Sequence, residues 1–295
     1  MDYVMQQLIN GLVLGSMYAL VAIGFTMIYG IVRLINFAHG DILMVGAFSA
    51  LAMTYGGVPW PVIAVVILGI GVAAGMIVET LTFRPIREAP QVTGFIASLA
   101  LSILIQNTAI MALTAQPRSV SFPAWMRHRV EVAGATTSIT DITIVVATLA
   151  LMAALVAIVR GTRLGMAMRA TAENLQAARL MGVPINRTIM AAFAIGSGLA
   201  AFAGLMWAAR YGQVDPLMGF IPGLKAFVAA VIGGVGSIAG AMLGGYILGL
   251  SEVLFVGLLP QEYSSYRDAF VFGLLILVLL VMPNGLLGKS TDARA

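Results

Sequence analysis

Mainly apolar windows at about 8–32, 42–55, 61–83, 92–114, 138–159, 186–209, 221–235, 240–258 and 268–287 fill most of this chain. Backbone N–H and C=O groups in hydrocarbon must be satisfied internally, so long continuous windows of this kind fold as helices. About 20 residues cross a hydrocarbon core roughly 30 Å thick. Windows 42–55, 221–235 and 240–258 are short or interrupted by glycine, which predicts half-helices or re-entrant pieces. Such pieces are tolerated only where protein or water covers the freed backbone groups. The fold class is therefore all-α: a polytopic helical membrane protein of about eight to ten transmembrane or re-entrant helices, in a single transmembrane domain over residues 1–295.

Composition narrows the chemistry. The chain is 60% hydrophobic and 9% charged, with no cysteine and two histidines, His39 and His128. This excludes disulfides, thiolate metal sites and cysteine nucleophiles, and argues against a histidine-based metal centre. Asp2 and the lack of a basic residue before the first apolar run differ from the positive start of a cleaved signal peptide, so the first window is expected to stay as a span. The net charge of +4 reflects where arginines sit relative to the membrane rather than an affinity for nucleic acid.

Loop charges set the orientation, because lysine and arginine are retained in the cytoplasm. With the N-terminus outside, one face collects Arg33, Arg84, Arg87, Arg160, Arg163, Arg169, Arg179, Arg187, Lys289 and Arg294. The other collects Arg118, Arg127, Arg129, Arg210 and Arg267. The expectation is a periplasmic N-terminus, a cytoplasmic C-terminus, a cytoplasmic loop at 160–187 and a periplasmic loop at 115–137. The three arginines of that last loop run against the general bias.

Small-residue spacings at Gly11/Gly15, Gly71/Gly75, Gly240/Gly244, Gly245/Gly249 and Gly196/Ala200/Gly204 let helix backbones approach closely, and ordinary packing within the chain accounts for them. The two halves are weakly alike. Gly15 to Gly46 and Gly223 to Gly249 each read as an apolar run, a polar or glycine-rich break, and a second apolar run. Breaks on the same side suit parallel repeats.

The 160–187 loop is a basic island between two apolar runs. Thr171 as N-cap, Glu173 in the first turn, Arg179 in the last, Gly182 as a left-handed cap and Pro184 as a stop predict a helix over 172–181. Ala177 and Ala178 leave one face almost without side chains, so a partner surface can come close. A helix this short is marginal in water, which implies docking.

Gln176 to Gly182, with its x-Ala-Ala-x-x-x-Gly spacing, resembles the cytoplasmic coupling loop of ABC importer permeases. Four further stretches, Gly11 to Leu20, Leu34 to Asp41, Arg169 to Asn174 and Gly223 to Gly240, resemble the branched-chain amino acid permeases, specifically the LivH-type subunit, and the likeness covers nearly the whole chain. Two departures stand out: Gln176 replaces the leading glutamate of the general importer motif, and no Ile-x-Leu-Pro follows. The resemblance implies a non-catalytic subunit of an ATP-driven importer. Its partners would be a second, LivM-like permease subunit, two ABC ATPase subunits, a periplasmic substrate-binding protein and membrane lipid. ATP and magnesium would be bound by the ATPase subunits, this chain holding no cofactor of its own. Residues of ATPase coupling would then be Arg169, Glu173, Gln176, Ala177, Ala178, Arg179 and Gly182. Gly288-Lys289-Ser290 mimics the end of a phosphate-binding loop, but Pro283 stands where its first glycine is required.

Asn36, His39 and Asp41 interrupt apolar text after Arg33. Either broken backbone here lines the translocation path or its gate, or this is a polar interfacial turn with Asp41 capping the next helix. Lys225 near the start of a window either snorkels, pairs with another helix, or belongs to the path, with Gly233, Gly234 and Gly236. Glu79 and Glu252 fit hydrogen bonding toward the interior, and Gln106 and Asn107 can bond across helices. An aliphatic zwitterion needs little more than an apolar passage with backbone groups exposed at glycine-rich breaks. Urea, short amides or other amino acids are alternative cargoes. An ion-coupled transporter or channel would need a carboxylate or histidine relay, for which Glu79 and Glu252 are thin support. An intramembrane enzyme built on Ser197 and His39 lacks a third, orienting group.

Overall fold

The computed structural model describes residues 2–132 and 134–288. Lys289, Ser290 and Arg294 lie outside them. Each apolar window becomes a helix: α1 (Asp2–Val32), α2 (His39–Tyr55), α3 (Trp60–Val78), α4 (Gln91–Leu113) and α5 (Ile139–Gly161). A π-helical turn, Glu79–Phe83, continues α3. Two short helices follow, α6 (Arg163–Glu173) and α7 (Leu175–Leu180), before α8 (Ile185–Tyr211), α9 (Phe220–Gly233), α10 (Ile238–Leu258) and α11 (Arg267–Val281).

Seven helical stretches among the described residues are long and apolar enough to cross a membrane. At 1.5 Å per residue, α2 and α9 reach only about 26 and 21 Å, short of the hydrocarbon core. These two are the abbreviated pieces foreseen from sequence. The 240–258 window is not one of them, because its glycines sit inside an uninterrupted 21-residue helix. Glycine is tolerated there since Gly240, Gly244, Gly245 and Gly249 each meet a neighbouring backbone and Gly257 meets the Gln7 side chain, none of them facing a void.

Two compact units make up the chain: residues 1–26, 123–150 and 225–295, and residues 27–122 and 151–224. In the first, α1 and α10 pack through reciprocal small residues. A Cβ on Gly15 would lie 2.9 Å from the Tyr246 Cα, and one on Gly245 would lie 2.6 Å from the Ala19 Cβ. Gly240 and Gly244 serve α9 and α10 in the same way, against Gly233 and Ala229. Outside the helices, β2 (Arg129–Val132) and β3 (Ala135–Ser138) form an antiparallel hairpin after β1 (Arg118–Ser119).

The second unit centres on α8, which is buried along most of its length. Gly71 and Gly75 of α3 meet it, a Cβ on either falling 2.6 Å from a side chain of Ala201 or Ser197. From α2, Gly46 abuts the Ala201 backbone, and Gly204 abuts the Leu43 carbonyl. The small-residue stripes are thus consumed by packing inside the chain. Strand β1 pairs with β4 (Gln213–Val214). Trp60 packs edge-on to Phe122 with ring centroids 4.9 Å apart.

Hydroxyls within helices are satisfied locally. Ser16, Ser49, Thr54 and Thr108 donate to carbonyls four residues back at 2.7–2.8 Å. This removes donors that hydrocarbon could not solvate.

Candidate functional site

Between α5 and α8 the chain forms two helices where sequence predicts one over 172–181. Thr162 caps α6, accepting from the Gly165 N–H at 3.1 Å. The next cap is Asn174, whose Oδ1 accepts from the Ala177 N–H at 2.9 Å. Thr171 is therefore not an N-cap; it is buried inside α6 and donates to the Ala167 carbonyl. A side-chain amide two residues before Gln176 competes better for the free N–H groups of a new turn than a hydroxyl already bonded to its own helix. Arg169 and Glu173 consequently belong to α6, while Gln176, Ala177, Ala178 and Arg179 belong to α7.

Gly182 ends this segment at φ +80°, the left-handed conformation its position in the sequence predicts. Its N–H donates to the Arg179 carbonyl at 3.1 Å, and the Val183 N–H donates to Ala178 at 3.0 Å. Ala178 is buried, so the bare face does not extend to it; Gln176, Ala177 and Arg179 are exposed. Beyond them Leu180 and Met181 are 88% and 84% exposed. Two adjacent large apolar side chains thus stand clear of the protein at a helix end.

The break after α1 is tightly built. Arg33 takes φ +55°, which ends the helix, and α2 starts at His39. Asn36, His39 and Asp41 are 2%, 1% and 1% exposed. Asp41 does not cap α2, where Ala38 holds the cap position without a side-chain bond. Instead it accepts from Gln106 Nε2 of α4 at 2.9 Å, and the same nitrogen reaches Ser102 Oγ at 3.1 Å. Gln106 bonds across helices as expected; Asn107 turns to its own helix, donating to Ile103. The Asn36 amide is buried with neither end hydrogen-bonded. Gly40 lies against the start of α9, where a Cβ on Gly223 would come 2.8 Å from the Gly40 Cα.

Lys225 does not snorkel. It is 2% exposed, and its Nζ donates to Glu252 at 2.8 Å and lies 2.7 Å from an Asp268 oxygen. Arg267 Nε is 3.1 Å from the same Glu252 oxygen, and the Tyr18 hydroxyl donates to the other at 3.0 Å. Two cations, two carboxylates and a phenol thus join α1, α9, α10 and α11. Farther along α9, Gly233, Gly234 and Gly236 turn the chain into α10. Gly234 and Gly236 have φ +104° and +88°, and the Gly236 N–H donates to Thr26 Oγ1 at 2.9 Å. Leu286 and Leu287 donate to the Ile232 and Gly233 carbonyls at 2.9 Å, satisfying the end of α9.

A family model described as "Branched-chain amino acid transport system / permease component" matches residues 7–279. The chain belongs to this permease family. The high-affinity branched-chain amino acid transport system permease protein LivH of Escherichia coli K12 is 41% identical over 97% of this chain and 96% of its own length. BraD of Pseudomonas aeruginosa, described in the same terms, is 38% identical over 97% of this chain and 96% of its own. The xylose transport system permease protein XylH of Escherichia coli K12 is 35% identical over 44% of this chain and 34% of its own. As a member of this family the chain is a multi-pass inner-membrane protein and a transport component.

Three participants in this permease's polar contacts escaped sequence reading: Asp268, Asn186 and the bridging role of Arg87. Asp268 directly follows Arg267 at the head of a span, a charged pair that a search for partners of Lys225 would have found. Arg87 pairs with Glu79, an interior hydrogen bond foreseen for that carboxylate, and it also donates to Asn186 Oδ1 at 2.6 Å. Burial pulls the Arg87 guanidinium below its ordinary pKa, an effect opposed by the Glu79 carboxylate.

Proposed function

We propose that this chain is a transmembrane subunit of an ATP-driven importer that passes branched-chain aliphatic amino acids, delivered by a periplasmic binding protein, through a pathway shared with a second permease subunit. The observation that carries this reading is the Asn174-capped helix α7, which presents Gln176, Ala177, Arg179, Leu180 and Met181 outward. In the proposed orientation this surface is cytoplasmic and seats in an ATPase subunit, which binds ATP and magnesium. In this reading energy enters the chain through that contact.

The cargo reading rests on the full-length relatives, whose names specify branched-chain amino acids, whereas the xylose permease covers less than half of this chain. An apolar passage suits aliphatic side chains. The buried polar groups Asn36, His39 and Asp41, with the glycine contact between α2 and α9, are the proposed polar station or gate for the zwitterionic end. Lys225 ties α9 to α10 and α11, and Gly233, Gly234 and Gly236 form the α9–α10 turn; a role for these four in the path or its gate is part of the same proposal.

Proteoliposomes containing this chain, its partner permease, both ATPase subunits and the binding protein test the reading. Leucine, isoleucine and valine are expected to accumulate only with ATP inside the ATPase compartment. Uptake driven by a proton or sodium gradient without ATPase subunits would contradict the mechanism. ATP-driven uptake of urea or xylose in preference to these amino acids would contradict the cargo.

A further inference from the structure

Glu79 opens the π-helical turn at the end of α3 and is 1% exposed. A carboxylate buried there is costly unless paired. Arg87, four residues beyond the turn, supplies the pair through one guanidinium nitrogen, while its other terminal nitrogen donates to Asn186 at 2.6 Å. Asn186 is the second residue of α8, two positions after the Leu175–Pro184 segment that holds α7. Arg87 therefore forks between the last turn of α3 and the first turn of α8. The same two elements touch again through Phe83 and Phe193, with ring centroids 5.0 Å apart.

This arrangement is more than charge neutralisation requires. Glu79 alone balances the charge of the cation, and Asn186 is exposed, so water would serve Arg87 equally well at that arm. A planar, five-donor guanidinium is the side chain that can hold two acceptors on different elements at once. It also ends on a π-turn, a wide and less regular helical geometry that concentrates at functional positions. We infer that Arg87 is a positioning residue of the transport cycle: its fork from Asn186 to Glu79 carries displacement of the α7–α8 junction into α3. The inference rests on the proposed docking of α7 onto an ATPase.

Asn186→Ala cuts only the α8 arm, and Arg87→Lys keeps the charge but reduces the fork to a point. In the reconstituted full complex, both variants are expected to insert, assemble and hydrolyse ATP, while leucine taken up per ATP falls about fivefold. The double variant is expected to fall no further than either single one, since both sever one linkage. A Leu180→Asp variant runs alongside. If Leu180→Asp abolishes uptake while Asn186→Ala leaves uptake per ATP unchanged, the fork is overturned and the docking reading stands. If Leu180→Asp is silent too, the docking reading fails and takes the fork with it. Loss of the folded chain in Asn186→Ala would assign the contact to stability and would likewise overturn the inference.

Discussion

Replacing Glu252 with alanine is expected to remove most of the folded chain from the membrane fraction. Glu252 is 2% exposed and receives Lys225, Arg267 and the Tyr18 hydroxyl. Its loss leaves Lys225, equally buried, with Asp268 as its remaining carboxylate. Breaking one side of a buried pair costs about 3–5 kcal/mol, because the surviving charge stays desolvated. The reverse variant, Lys225→Ala, is milder, since Glu252 keeps Arg267 and Tyr18. Replacing both, as Lys225→Met with Glu252→Leu, is expected to recover much of the loss, because well-packed apolar side chains carry no desolvation penalty. Detergent-extracted yield and thermal midpoint of the monodisperse protein measure all three. An unchanged yield and thermal midpoint in Glu252→Ala would show that the network contributes nothing to the fold.

Leu180→Asp together with Met181→Asp is expected to abolish ATP-driven uptake, by more than about tenfold, while yield and stability stay unchanged. Both side chains stand almost wholly clear of the protein, so their replacement removes no contact within it. Placing two carboxylates in an apolar docking surface imposes a desolvation cost of several kcal/mol on the complex. Ala178→Asp would lose activity for a different reason, since Ala178 is buried and a charge there unfolds the segment itself. Normal uptake by the double aspartate variant would exclude α7 as the docking point.

The spans were legible in the sequence because hydrocarbon enforces one solution on a long apolar run. Their order, the short lengths of α2 and α9, and the packing use of the glycine stripes all follow from that constraint and from backbone contact. Local competition was less legible. Thr171 and Asn174 are both good caps, and the choice between them depends on α6 already holding the Thr171 hydroxyl, which no spacing rule records. In the same way, Asp41 next to a helix start reads as a cap, and only the neighbouring α4 shows that Gln106 takes it. Lys225 was ambiguous until α10 and α11 brought two carboxylates to it. That a buried polar side chain would find a partner was readable, as for Gln106, Glu79 and Glu252; which partner it takes, or which of two neighbouring caps wins, was not.

Native cysteine is absent, so a single introduced thiol gives an unambiguous address. Met181→Cys in the assembled complex, treated with a short bifunctional thiol–amine reagent, tests most directly whether α7 is where an ATPase subunit grips this permease. The expected product joins this chain to an ATPase subunit, its yield changes on adding ATP, and the thiol is shielded from a membrane-impermeant maleimide supplied from the periplasmic side. A thiol labelled from the periplasm, or one that cross-links to no ATPase subunit in an actively importing complex, would contradict the account.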